Sequence, residues 1–173
     1  MPAPRARTPL ARARYRASQF VHGLRPHLSA AEVAEARGRL SAEEFRLFLH
    51  AEPRDRRHSM DLYRLLQSEG ASEAALVAAL VHDTGKGRLA TWHRVAFVIL
   101  NAAAPGLSRR VEREGAGWRG ALWRLRHHGA LGAALLEAAG SDPRVVEIVR
   151  GHTGTPPPGD DEIARFIEAD DRV

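Results

Sequence analysis

Apolar positions recur at helical spacing along most of this chain, and Gly, Pro and capping residues punctuate them into short segments. The pattern predicts a first helix over residues 10–24, ending near Gly23 or Pro26. Ser29-Ala30-Ala31-Glu32 and Ser41-Ala42-Glu43-Glu44 are capping boxes, so two short helices start there. A helix follows over residues 55–68, closed by Gly70. Ser72 caps the next, which Gly85 is expected to stop. Further helices are predicted over residues 91–104, ahead of Pro105, and over residues 127–139. Ser141-Asp142-Pro143 opens another, with proline in the first turn. The proline-rich stretch 153–159 is a loop, and Asp160 or Asp161 caps the last helix.

The most apolar of these segments ends in chemistry. Ala78-Ala79-Leu80-Val81 reads as a helix buried on all sides, and His82-Asp83-Thr84-Gly85-Lys86 follows it directly. Burying an ionised carboxylate beside an imidazole is costly unless a charge compensates. A divalent metal ion is the usual compensation, because neutral imidazole and carboxylate are both ligands for it. Lys86 is also the only lysine in a chain rich in arginine. Taken alone, His82-Asp83 could equally be a helix end favoured by the dipole.

Other helices supply further donors on their apolar sides. His58 shares a sector with Leu62 and Leu65, and His128 with Leu131, Gly132 and Leu135. His152 joins Val145, Ile148 and Val149. Asp170 completes the i, i+3, i+4, i+7 series of Ile163, Phe166 and Ile167. His127 and Asp171 point away, and His93 reads as surface or packing. Each inward polar residue alone would be an unexplained burial penalty. Together they make sense in a helical bundle whose centre holds one or two metal ions.

Composition narrows the class. The chain has 173 residues, 44% of them apolar, and is rich in Ala, Leu, Arg and Glu, which predicts one nearly all-helical domain. The absence of cysteine excludes disulfides, thiolate nucleophiles and Cys-type zinc sites. The longest apolar run, 95–104 broken by Asn101, is far short of a membrane span, and no signal peptide is evident, so the expectation is a cytoplasmic protein without a membrane partner. Arg5, Arg7, Arg12, Arg14, Arg16 and Arg25 precede the first acidic residue. This tract reads as a solvated end, with a nucleic-acid arm or a targeting helix as alternatives, and Pro2, Pro4 and Pro9 oppose a regular amphipathic start. The basic segment 109–126, containing Trp118 and Trp123, is either a phosphate or nucleic-acid surface or the solvated side of an amphipathic helix. The net charge of +5 fits phosphate-bearing partners in general.

In order, His58-Ser59, His82-Asp83-Thr84-Gly85-Lys86, His128 with Gly132-Ala133, His152, and Ala169-Asp170 resemble the HD-domain superfamily of metal-dependent phosphohydrolases. The resemblance runs from His58 to the C-terminus. His128-Gly129, His152-Thr153-Gly154 and Ala169-Asp170 look most like the branch that hydrolyses diadenosine tetraphosphate symmetrically. No Gly-Tyr-Pro element follows, which sets the chain apart from HD-GYP cyclic-dinucleotide phosphodiesterases.

The resemblance implies an all-α HD-domain bundle over residues 55–173, with residues 1–54 as a basic helical extension packing on it. It implies that His58, His82, Asp83 and Asp170 hold a first metal. His128 and His152, with Asp83 bridging, would hold a second, and Lys86 would contact a substrate phosphate. Nitrogen and oxygen donors without sulfur suit divalent Mn, Fe, Co or Zn. Such ions lower the pKa of bound water, so the expected enzyme hydrolyses a phosphoester or phosphoanhydride bond, with Asp83 and Lys86 as its catalytic residues. The expected partner is a phosphate-bearing small molecule of nucleotide type, with nucleic acid second. The competing expectation is a non-catalytic HD fold that keeps a structural metal and acts as a regulatory or nucleic-acid-binding module.

Overall fold

The computed structural model describes residues 27–173; the expected helix over residues 10–24 and the arginine tract through Arg25 lie outside the described residues. Among the described residues the structure is all-α, with no strand. Both capping boxes form. Ser29 caps α1 (Ala30–Arg39) and Ser41 caps α2 (Ala42–His50), each with the Glu three residues on reaching back to the cap backbone. Pro53 occupies the first turn of α3 (Pro53–Ser68), and the chain turns at Gly70, where φ is +71°.

Ser72 caps α4 (Glu73–Val81), whose side chain accepts from Ala75 N–H. This helix is the centre of the molecule. Ala75, Leu76, Ala78, Ala79, Leu80 and Val81 are all buried, and α2, α3 and α8 (Pro143–Gly151) pack around them. Its uniform apolarity is what a helix with no solvent side requires.

The exit from α4 differs from expectation. The helix ends at Val81, not at Gly85, and a 3₁₀ turn spans Thr84–Lys86. The chain reverses at Gly87, with φ +60°, a conformation that favours glycine. Gly85 has another role: a Cβ there would lie 2.1 Å from the His128 carbonyl oxygen and 2.5 Å from Gly132 N. Its missing side chain lets α7 (Gly117–Ala138) lie directly on the turn.

α7 is also longer than the sequence pattern suggests, beginning at Gly117 rather than His127. Its buried stripe is Leu122, Leu125, Gly129, Gly132, Ala133 and Leu136. Leu135, expected on the inner face with His128, is 43% exposed. His128 therefore sits at the edge of the stripe, its position set by the close approach at Gly132. The expected helix ahead of Pro105 forms as α5 (Thr91–Ala103), and Pro105 then opens a further short helix, α6 (Pro105–Val111). α8 follows its Asp142 cap, and Asp160 caps α9 (Asp161–Asp170) through Ile163 N–H.

One continuous apolar core joins α1–α4 with α7–α9, from Phe48 and Leu62 to Ile148 and Phe166. α5 stands apart, with none of its 13 residues buried. It touches the body through Phe97, against Leu89, Ala121 and Leu125. Polar links hold it as well: Arg94 to Asp55 at 2.5 Å, and Asn101 to Arg126 at 2.5 Å. His93, read from sequence as surface or packing, accepts the Ala90 N–H at the start of α5.

Candidate metal centre

Each donor reaches the centre by a local device. His82 and His152 are the C-terminal capping residues of α4 and α8, one position beyond each helix, where the chain leaves the helix but its side chains still face the core. His82, His128 and His152 each place Nδ1 on the carbonyl three residues earlier: Ala79 at 2.9 Å, Leu125 at 2.9 Å and Val149 at 2.6 Å. A carbonyl can only accept, so Nδ1 carries the proton and donates. Nε2 is left as a lone pair aimed inward, the arrangement that orients metal-ligating histidines. Phe166 sets its ring edgewise to both His82 and His152 and holds their planes.

The structure brings together His58, His82, Asp83, His128, His152 and Asp170, which come from α3, α7, α9 and the ends of α4 and α8. Two groups of possible ligand atoms form, His58 with His82 and Asp83, and Asp83 with His128 and His152. Asp83 belongs to both. Its Oδ1 lies 3.3 Å from His82 Nε2 and 3.5 Å from His128 Nε2, and His152 Nε2 is 3.2 Å from His128 Nε2. Asp170 Oδ1 meets His58 Nε2 at 2.8 Å and His82 Nε2 at 3.5 Å. His127 and Asp171 are exposed, as expected.

Electrostatics fit a cation. His82 Nε2 and Asp83 Oδ1 are buried without a hydrogen-bond partner, although they face each other. Both are acceptors once His82 Nδ1 holds the ring proton. Two such buried acceptors repel unless positive charge lies between them. Burial, joined by the charges of His82 and His128, pushes His152 down to about 3. Burial and the Lys86 ammonium push His128 down to about 4, so both rings are neutral and able to ligate near pH 7. Burial opposes ionisation of Asp83, but His82, Lys86, His128 and His58 outweigh it and hold the carboxyl well below the usual range. For Asp170, too, burial is outweighed, here by His58 and His82. Neutral imidazoles and ionised carboxylates are the ligating forms, so the residues present fit one or two divalent ions.

Lys86 rests its Nζ on Asp83 Oδ2 at 2.5 Å. A cleft of about 450 Å³ opens beside it, lined by His58, Asp83, Lys86 and Asp170 on the metal side. Arg54 and Asp55 of α3 line it as well, and Thr91, Arg94, Val95, Val98 and Ile99 line it from α5. Asp55 and Arg94 were not singled out from the sequence. A signal existed for Asp55, which stands one turn before His58 on the same face of α3. Arg94 had none, since its partner is 39 residues away.

A family model described as "Cas3, HD domain" matches residues 13–171, all but the first 12 and last two residues. The match extends well ahead of His58, into a region whose motifs carried no resemblance. It agrees with the HD superfamily as read from the motifs and does not select the diadenosine branch. HD domains bind divalent metals and are in general metal-dependent hydrolases. No curated protein and no solved structure matches the chain. No helix among the described residues is long and apolar enough to cross a membrane.

Proposed function

This chain belongs to the Cas3 HD-domain family, and on that premise we propose that it is a metal-dependent nuclease, hydrolysing a phosphodiester bond in a nucleic-acid strand. The observation that carries the reading is the pair of His/Asp groups sharing Asp83, with Lys86 beside them at the floor of an open cleft. Family membership moves the expected substrate from a free nucleotide towards nucleic acid.

In this reading His58, His82, Asp83 and Asp170 hold one ion, and Asp83, His128 and His152 a second. Bound there, divalent ions supply Lewis acidity, lowering the pKa of water and polarising phosphoryl oxygens. The protein's own groups do the rest. The Nδ1–H bonds to Ala79, Leu125 and Val149 keep three Nε2 atoms unprotonated and fixed in direction. Lys86 places its ammonium where it offsets charge gathering on the phosphoryl oxygens. Arg54, on the cleft wall, holds a neighbouring phosphate of the strand. Donors with this many imidazoles favour Mn, Fe, Co or Zn over Mg.

The test is purified protein with Mn²⁺ given a labelled single-stranded oligonucleotide, diadenosine tetraphosphate and a generic phosphodiester. The expected result is strand cleavage abolished by chelator and reduced at least about 100-fold in Asp83→Ala. Cleavage of diadenosine tetraphosphate alone would favour the branch that His128-Gly129 and His152-Thr153-Gly154 resemble. Metal-stabilised protein that binds strands in a salt-sensitive way yet cleaves nothing would favour the non-catalytic module.

A further inference from the structure

One face of α5 is apolar, exposed and turned into the cleft that opens on the metal centre. At about 100° per residue, Thr91, Val95, Val98 and Ile99 fall within one sector, and Phe97, which packs on the body, lies roughly opposite. Val95, Val98 and Ile99 all line the cleft, and they are 52%, 65% and 59% exposed. Contiguous exposed apolar side chains of this kind mark a contact site.

The surroundings say what kind of ligand the face meets. Lys86 and Arg54 line the same cleft, and no acidic residue occurs between Thr84 and Val111. Asp55, the acid on that wall, is already paired with Arg94. An occupant must therefore be anionic at the metal end and apolar against α5. A phosphate carrying an unstacked base on its adjoining sugar has both properties.

Resting on the nuclease reading, we propose that the Val95-Val98-Ile99 face is a nucleobase subsite that takes the faces of the bases flanking the scissile phosphate. Valine and isoleucine offer no hydrogen bonds, so the subsite senses whether a base is present and not which base it is. It lowers the apparent KM for base-bearing strands and leaves positioning at phosphorus to the metal centre and Lys86.

The experiment compares wild-type protein in Mn²⁺ on an intact oligonucleotide and on one whose residues around the cut are abasic. We expect kcat/KM to fall about tenfold on the abasic strand, chiefly through KM, and base identity to change it little. Val98→Asp should erase the discrimination and weaken fluorescence-anisotropy binding of the intact strand without metal. Val98→Leu should retain both, and circular dichroism of each variant checks the fold. Equal cleavage of intact and abasic strands by wild type would overturn the subsite and leave the nuclease reading standing. Cleavage of no strand would overturn both. A dimer that Val98→Asp dissociates would mean that a second copy of the chain covers the face, which also overturns the proposal.

Discussion

His58 and Asp170 stand 112 residues apart in the chain, yet His58 Nε2 lies 2.8 Å from Asp170 Oδ1. The contact ties α3 to α9 across the end of α4. Burial alone would lower the His58 pKa, but the Asp170 hydrogen bond and the Asp83 charge outweigh it and raise it. Asp170 thereby orients a ring that otherwise has one side on the open cleft.

Metal should stabilise this protein measurably. The buried acceptors His82 Nε2 and Asp83 Oδ1 face each other without a hydrogen-bond partner, and a cation relieves that opposition. Mn²⁺ at about a hundred times its dissociation constant should add about 2.7 kcal/mol. For a domain of this size that is roughly 5–10 °C in Tm. Differential scanning fluorimetry with and without chelator checks it, and Asp83→Ala should remove the metal-induced shift.

Gly85→Ala should be damaging because the two nearest neighbours of the new Cβ are backbone atoms, His128 O and Gly132 N. Neither can rotate away, so α7 must move from the 3₁₀ turn. A loss of about 1–3 kcal/mol is expected in denaturant unfolding. Metal affinity should fall too, since His128 rides on α7. Gly106→Ala, with nothing within 4 Å, should be neutral to slightly stabilising by comparison.

Asp55→Asn should loosen α5 selectively. No residue of that helix is buried, so its docking depends on Phe97 and on the Asp55–Arg94 and Asn101–Arg126 links. Removing the carboxylate from a partner it holds at 2.5 Å leaves Arg94 with no charge to meet. Hydrogen exchange should accelerate over residues 91–111 and stay nearly unchanged in α4. A uniform acceleration across the core would contradict this.

Glu32 should contribute an acid-sensitive share of stability. Burial would raise its pKa, but hydrogen bonds from Ser29 and Arg57 outweigh it and hold the carboxyl down at about 2 instead of 4.5. A carboxyl depressed in the folded state stabilises fully above its unfolded value and loses that contribution as pH falls towards the folded one. The stability of wild type measured by urea unfolding should therefore fall as the pH drops from 4.5 to 2. Glu32→Gln should be less stable at pH 7 and show a flatter decline over that interval.

The residues differ in how far their local sequence could place them. The Ser29 and Ser41 boxes, the Pro143 start and the uniformly apolar α4 depend on contacts within a turn or two, and the sequence reading matches the structure there. The helix expected over residues 127–139 begins ten residues earlier as α7, within the 109–126 segment whose alternative reading is an amphipathic helix. Its first two turns are helical because Ala121, Leu122 and Leu125 find apolar partners elsewhere in the fold. The inner face of the same helix was shifted too, since Leu135 satisfies the spacing and still meets solvent.

By itself the sequence determined an all-helical chain, most helix starts and stops, and the placing of His58, His152 and Asp170 on apolar sides. It could do so because capping bonds and the 3.6-residue period are properties of neighbouring residues. Only the tertiary structure decided that these side chains meet around Asp83. It also decided that Gly85 is an approach site and no helix stop, that Arg94 closes on Asp55, and that the apolar side of α5 faces an open cleft. A helical period says which side of a helix is apolar, but not what that side will face. That is fixed by how separate helices cross, through contacts tens of residues apart.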